Sequence, residues 1–418
     1  MIPDRMPKSE RSLSAAQFPH DLLGRLEQPV TADSLQIRDV SVPVCYAEFW
    51  TSKQRQAKSI HEISYRACFK PQLPSFFIRR LTTEGGMVYD PFSGRGTTVL
   101  EAGLLGRQVA ANDINPLSRI LVFPRFFPPN EADLNKRLAS IRDIPDVKSE
   151  IDLSMFYHAQ TLRELLSLKE YLLERSVSGH EDQLDRWIRM VATNRLTGHS
   201  KGFFSVYTLP PNQALSAERQ IRINERLDQQ PPYRNVKEII TRKTKSLLRS
   251  LTGTDIENLR RAGAAALFMD SEADDTPELL SNHVDLTVTS PPFLDVVQYA
   301  QDNWLRCWFN HLDQGLITKK IKCLKSMPQW RSKMESVFGE LYRITKPGGW
   351  LAFEVGEIRK NTVRLEETIV PVGIATGFEC KGVLINSQTF TKTANIWGVN
   401  NNKCGTNSNR IVLFRKIV

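Results

Sequence analysis

Six cysteines (Cys45, Cys68, Cys307, Cys323, Cys380 and Cys404) are scattered along 418 residues, with no CxxC pair and no grouping with the seven histidines. That spacing argues against a disulfide framework and against a zinc site, so no metal is expected. No apolar run reaches the roughly 18 residues a membrane helix needs. The amino-terminal stretch MIPDRMPKSERSLSAAQF lacks the apolar centre of a signal peptide. A soluble, cytoplasmic protein with no membrane partner is the expectation. Internal repeats and low-complexity tracts are also absent.

What is present is ordinary in bulk and biased in charge. Hydrophobic residues make up 41% and charged residues 24% of the chain, a balance typical of a globular protein. A net charge of +10 leans towards a polyanionic partner, because Lys and Arg must approach phosphates to displace counterions. The length suits one large domain with a sizeable insertion, or two domains.

The first informative stretch is GGMVYDPFSGRGTTVLEAGLLGRQVAANDINPLS. It predicts a short strand over Met87 to Tyr89, a turn carrying Gly94 and Gly96, a helix from Thr97 to Leu105 ended by Gly106, and a second strand over Val109 to Ala111 that leads into Asp113. This is the start of an α/β unit whose glycine turn lets backbone approach a ligand, with an acid placed to accept hydrogen bonds from ribose hydroxyls. The spacing is neither GxGxxG nor that of a phosphate-binding loop, which points to a nucleoside ligand without a pyrophosphate. The second informative stretch is TSPPF, Thr289 to Phe293. The preceding VDLTV reads as a buried strand, yet it runs into two prolines that can neither donate to nor continue a ladder.

DPFSGRGTT followed by NDINPLS, and later TSPPF, resembles the motif set of the S-adenosylmethionine-dependent DNA methyltransferases that methylate base amines. The segment CFKPQLPSFFIRRLTTEGG resembles the KPxxL segment that precedes the glycine turn in that family. The resemblance implies an α/β, Rossmann-like methyltransferase sheet and S-adenosylmethionine as cofactor. It implies that the cofactor is held by Lys70, Pro71, Asp90, Pro91, Phe92, Gly94, Gly96, Thr97, Thr98, Asp113 and Ile114. Asp270, at the end of a third strand in AGAAALFMDSEADD, would contact the cofactor's adenine; otherwise it is a helix cap or a loop carboxylate.

The resemblance also places Ser290, Pro291, Pro292 and Phe293 at the reacting base. An exocyclic amine is a poor nucleophile because its lone pair is delocalised into the ring. Acceptors aimed at its hydrogens draw them out of plane and take up the developing positive charge. The Ser290 hydroxyl and the Pro291 carbonyl are the expected acceptors, the prolines hold the turn rigid, and Phe293 offers a face for an extruded base. Serine before the prolines is commoner in members that resemble the N4-cytosine enzymes, while Asp or Asn is usual in the N6-adenine enzymes. With no Pro-Cys pair in the sequence, a mechanism through a cysteine on the cytosine ring is unsupported. Double-stranded DNA is the expected partner and a cognate restriction endonuclease a further one. An adenine enzyme, an RNA base-amine methyltransferase and an inactive DNA-binding regulator are the alternatives.

The expected organisation is an amino-terminal arm over residues 1–40, a first catalytic segment over 41–115, a mostly helical insertion over 116–262 and a second catalytic segment over 263–418. The insertion falls between the second and third strands, which matches no usual order of the family's blocks. In it, PYRNVKEIITRKTKSLLRSL brings together Arg242, Lys243, Lys245 and Arg249, either tracking a phosphate backbone or forming a solvated face. Lys319 and Lys320, with Lys322 and Lys325, would extend a basic rim. The loop TGHSKGFFSVYTLPPN puts Phe203, Phe204 and Tyr207 either near the flipped base or in the core. The carboxy-terminal segment reads as an antiparallel strand pair with a Thr- and Asn-rich connector over residues 391–409.

Overall fold

A computed structural model describes residues 31–37, 39–47, 57–65, 69–208, 214–292, 302–321, 324, 326–355, 357–358, 363–387 and 408–417. The strands are β1 (Thr31–Ile37), β2 (Val40–Ala47), β3 (Met87–Asp90), β4 (Gln108–Asn112), β5 (Leu267–Met269), β6 (Val284–Thr289), β7 (Thr345–Val355), β8 (Glu357–Ile358), β9 (Val363–Arg364), β10 (Phe378–Ser387) and β11 (Ser408–Lys416). One nine-stranded sheet runs β1-β2-β10-β11-β7-β6-β3-β4-β5, and β8 pairs with β9 apart from it. The five strands β5, β4, β3, β6 and β7 are parallel; β11 is antiparallel to β7 and to β10.

Strand order therefore reverses between β3 and β6: the chain leaves β3 towards β4 and β5 on one side and continues from β6 to β7 on the other. In an open α/β sheet the crevice at the carboxyl ends of such a strand pair is the place for a ligand. The motifs DPFSGRGTT and TSPPF begin at the ends of these two strands.

Two apolar layers cover the sheet, because strand side chains alternate between its faces. Val88, Leu286 and Ala352 belong to one core with α1 (Gln72–Leu81) and α2 (Thr97–Leu104). Tyr89, Leu351, Phe353 and Val355 belong to the other, which also contains residues of α12 (Met327–Ile344) and α13 (Glu366–Thr376). Between β4 and β5 the chain builds α3 (Leu117–Val122), α4 (Glu131–Ser140), α5 (Ala159–Val177), α6 (Gln183–Arg195), α7 (Ala217–Leu227), α8 (Val236–Leu248) and α9 (Gly253–Ala265). The short helices α10 (Trp304–Phe309) and α11 (Gln314–Lys320) follow β6. Asp185, fully buried in α6, knits the insertion together: it accepts from Arg137 of α4 at 2.5 Å and from Arg175 of α5 at 2.8 Å. Capping boxes at Asp182 and Thr252 start α6 and α9.

Three details differ from the sequence-based expectations. The hairpin β1–β2 straddles residue 40 and docks on the sheet, with β2 parallel to β10: the polar composition of TADSLQI hides β1, while Val42 and Val44 of β2 are buried. The KPGG stretch is no separate turn but the start of β7, where the pairing with β6 shifts register between Val284 and Leu286. Phe203 and Phe204 are buried, at 4% and 0% exposure, which makes them core residues rather than partners for a base. Residues 388–407, most of the connector between β10 and β11, lie outside the described residues.

Candidate active site

The cleft at the switch point is lined by both motifs: Pro91, Phe92 and Gly94 from one, Ser290, Pro291 and Pro292 from the other. The glycine turn needs its glycines. Gly94 has φ +50° and Gly96 φ +74°, a left-handed conformation costly for residues with a Cβ. A Cβ on Gly96 would also overlap the side chain of Val122 in α3. Thr97 and Thr98 are buried at the start of α2, and the Thr98 hydroxyl donates to the Val288 carbonyl at 3.0 Å.

Two carboxyls frame the turn, Asp90 buried and Asp113 half-buried. Asp90 ends β3, accepts from the Thr289 hydroxyl at 2.6 Å and from the Phe92 amide at 3.1 Å, and is pushed up to about 7 by burial. Asp113 accepts from the Gly94 amide at 2.7 Å and the Asn115 amide at 2.9 Å, and burial pushes it up to about 6. Each Asp113 oxygen is thus tied to one N–H and retains a lone pair towards the cleft, which Asp113 and Ile114 both line.

On the other wall, Ser290 is half-buried, Pro291 buried and Pro292 exposed. The carbonyl that is anchored is that of Pro292, which accepts from the Trp330 indole N–H at 3.0 Å. Phe293 lies outside the described residues. The Ser290 hydroxyl donates to Glu354, a carboxyl near the end of β7 that is 7% exposed and also accepts from the Asn409 side chain. Burial pushes Glu354 up to about 7. The sequence reading did not single out Glu354, although an acid within the apolar run WLAFEV was a usable signal.

The remaining expected residues divide. Lys70 is exposed and Pro71 caps α1; neither lines the cleft. Asp270 is exposed and outside the lining, while its neighbours Ser271, Glu272 and Ala273 face the cleft. The reason is local: β5 ends at Met269, and Asn112 of β4 holds Ser271, the second residue after it, by accepting from the Ser271 amide at 3.0 Å and donating to its carbonyl at 3.0 Å. Lys333 of α12, also missed, lines the cleft and pairs with Glu272 and Asp274 at 2.7 Å each.

The basic residues do not form one stripe. Lys245 pairs with Glu131 at 2.7 Å, Arg249 with Glu62, and Arg242 donates to the Lys201 carbonyl at 3.0 Å. Lys243 turns inward. Lys319 is exposed at the end of α11, whereas Lys320 lines the cleft; Lys322 and Lys325 lie outside the described residues. Among the described residues no group of three or more His, Cys, Asp or Glu side chains could hold a metal ion. No described helix is long and apolar enough to cross a membrane.

A family model of DNA methylases, covering the N6 and N4 amino-methyltransferases, matches residues 30–118. The chain is similar to the type II methyltransferase M.BsoBI of Geobacillus stearothermophilus, with 26% identity over 64% of this chain and 55% of that one. It is also similar to the type II methyltransferase M.MjaII of Methanocaldococcus jannaschii, with 32% identity over 17% of this chain and 13% of that one. The match thus spans about half, or less, of those relatives' lengths. Solved structures it resembles include an S-adenosylmethionine-dependent methyltransferase of Methanosarcina mazei, at 11% identity, TM-score 0.31, over 82% and 97% of the two chains. Another is a DNA modification methylase of Thermus thermophilus determined with S-adenosylmethionine, at 19% identity, TM-score 0.20, over 33% and 50%. The matched segment contains the DPFSGRGTT turn and the relatives are type II methyltransferases, and these matches support one family, that of the S-adenosylmethionine-dependent DNA amino-methyltransferases.

Proposed function

We propose that the protein methylates an exocyclic amine of a base flipped out of duplex DNA, with N4 of cytosine the preferred acceptor. The observation that carries this reading is the junction of the two motifs, in which Thr289, one residue before Ser290, donates to Asp90 at the head of the glycine turn. One bond thereby fixes the acceptor turn against the cofactor turn.

S-adenosylmethionine would supply the methyl group from its sulfonium sulfur, which would keep the electron pair of the broken C–S bond and leave as a neutral thioether. The chain's own residues suit its nucleoside half: Asp113 presents two lone pairs to ribose hydroxyls, and Phe92, Ile114, Leu324 and Met334 give the cleft apolar walls. At the base, Ser290 acts first as an acceptor. Because its hydroxyl proton points to Glu354, its lone pairs are free for an amine hydrogen. As the amine nitrogen forms its new bond to carbon it acquires positive charge and must lose one proton. Ser290 takes that proton while passing its own to Glu354, which is close to half-ionised near neutral pH. Proximity and amine polarisation carry the rate, and no covalent bond to the enzyme forms.

Serine at position 290, with an acid behind it, favours cytosine over adenine, the second reading. The type II designation of the relatives suits a modification enzyme acting beside a restriction endonuclease. Expression in a host lacking its own methylation, followed by sequencing that separates N4-methylcytosine from N6-methyladenine, tests the proposal. Methylated cytosine in one short sequence, absent for a Ser290→Ala, Phe293→Ala double variant, is the expected result. Methylated adenine reverses the choice of base, and unmodified DNA from protein that still binds S-adenosylmethionine turns the search to RNA.

A further inference from the structure

Tyr65 lines two depressions. One is the cofactor cleft; the other is an open pocket where the glycine turn meets the helical insertion, lined by Arg95, Arg195, His199, Lys243 and Glu62 besides Tyr65. Its cations come from separate parts of the chain: Arg95 from the glycine turn, Arg195 from the end of α6 and Lys243 from α8.

These cations are badly matched to the protein around them. Arg195 is 8% exposed, stacks on the Phe203 ring at 3.9 Å and donates to the carbonyl and side chain of Asn194, with no carboxylate of its own. Burial first, and then Arg306, push it down to about 10. Lys243 has no hydrogen-bond or ion-pair partner among the described residues. Burial, followed by Arg195, pushes it down to about 8, with Arg249 and Arg125 adding to the effect. Glu62 opposes this, but its carboxylate is taken by Arg249 on the rim. Arg95 donates to the Ile63 carbonyl at 2.9 Å, so its charge is held in place but not neutralised. Cations kept this close, in partly dry surroundings, are stabilised by an anion entering from solvent.

We propose that this pocket binds one backbone phosphate of the nucleic acid, next to the nucleotide that enters the cleft. The inference rests on the reading of the protein as an enzyme acting on nucleic acid. Two guanidiniums beside a lysine give the pocket a positive charge that suits a phosphate, and the shared wall at Tyr65 puts that phosphate beside the cleft. A backbone phosphate held there fixes the strand where the target base must swing out, without reading its sequence. It also explains why only Lys243 of the basic run on α8 faces inward.

The test uses the full chain. The reactivity of the Lys243 amine towards an acylating reagent at about pH 8 is followed by mass spectrometry, alone, with inorganic phosphate and with a mixed-sequence duplex; bound phosphate raises the amine's proton affinity and slows the reaction. In parallel, duplex binding is measured against salt concentration for the parent, Lys243→Gln, Lys243→Arg and, as a surface control, Arg242→Gln. Expected are protection of Lys243 by both phosphate and duplex, a loss of about tenfold in duplex affinity for Lys243→Gln with a salt slope lower by about 1, and recovery in Lys243→Arg. Affinity for S-adenosylmethionine stays unchanged.

Absence of protection by either probe overturns the proposal. So does protection by inorganic phosphate with unaltered duplex binding in Lys243→Gln, which makes the pocket a free-anion site. A Lys243→Gln variant that loses S-adenosylmethionine instead assigns the pocket to the cofactor's carboxylate and also overturns it. Failure of the parent protein to bind any duplex, with S-adenosylmethionine binding intact, removes the underlying reading of the substrate as DNA, and the same assay with RNA then decides the source of the phosphate.

Discussion

The Thr289 hydroxyl donates to the Asp90 carboxyl at 2.6 Å across the junction of β6 and β3, joining residues that are 199 positions apart in the chain. Both groups are buried, at 0% and 2% exposure, so neither has water as an alternative partner. Replacing Thr289 by Val keeps the shape and removes the donor. The expected cost is about 1–3 kcal/mol of stability, the usual penalty for orphaning a buried polar group. Affinity for S-adenosylmethionine should fall with it, because Asp90 also receives the Phe92 amide of the glycine turn. Thr289→Ser should restore both. Thermal unfolding and calorimetric titration of the three proteins check this, and a Thr289→Val protein with parental cofactor affinity would show that the bond does not shape the turn.

The two glycines of the turn should respond differently to alanine. At Gly94 a Cβ meets Tyr65 at an ordinary 3.6 Å, so the cost is that of the left-handed backbone alone, about 1–2 kcal/mol. At Gly96 the same backbone cost is joined by overlap with Val122, for a total of about 2–4 kcal/mol. Adding Val122→Ala should recover part of the Gly96→Ala loss and none of the Gly94→Ala loss. Denaturant unfolding of the five variants, the three single and the two double, gives the comparison, with Val122→Ala as the reference for the doubles.

Trp330 secures the second proline of the acceptor turn through its indole N–H. Water can take over the carbonyl of exposed Pro292 in a Trp330→Phe variant, but Trp330 is itself only 1% exposed, so the smaller ring leaves a cavity and the expected cost is about 1–2 kcal/mol of stability. Turnover should suffer more, because an error of about 1 Å in the placement of a reacting group can cost on the order of a hundredfold. A steady-state comparison should therefore find a lower kcat with an unchanged cofactor affinity. Equal losses in both would place the role of Trp330 in general packing.

Much of this was legible in the sequence because it is local. The strand, glycine turn and helix from Met87 to Leu104 follow from β-branched residues, two glycines and an uninterrupted apolar helix face, and β6 follows from VDLTV before its prolines. What stayed hidden depends on distant segments. Asp270 looked like a ligand because it ends a strand, but Asn112 captures Ser271 and sets the following residues against the cleft. Arg242, Lys243, Lys245 and Arg249 looked equivalent as a run of cations, yet helical geometry, the carboxylates of Glu131 and Glu62 and the Lys201 carbonyl sort them into three partnered surface residues and one half-buried lysine that lines a pocket. Glu354 lay unnoticed because its partners, Ser290 and Asn409, come from strand ends far away in the chain.

Glu354 also gives the site a pH signature. Its carboxyl is pushed from the ordinary range up to about 7, and burial is the main cause. A carboxyl raised in the folded state contributes stability below the unfolded value and loses it as pH rises through the folded value. The protein should therefore lose stability between about pH 4.5 and pH 7, by on the order of 3 kcal/mol from this group. Turnover runs the other way, because only the ionised carboxyl accepts a proton from Ser290, so kcat should rise with pH and level off above about 7. In Glu354→Gln both limbs should flatten: the unfolding temperature should vary less with pH, and the residual kcat should no longer rise through that range. The Asp90 and Asp113 carboxyls, pushed up to about 7 and about 6, also weaken the fold as pH rises, so the stability change in the variant is a reduction and not a disappearance. The kcat profile is the sharper measurement, since neither aspartate touches Ser290. A rising limb that survives in Glu354→Gln would move the proton-accepting role to another group.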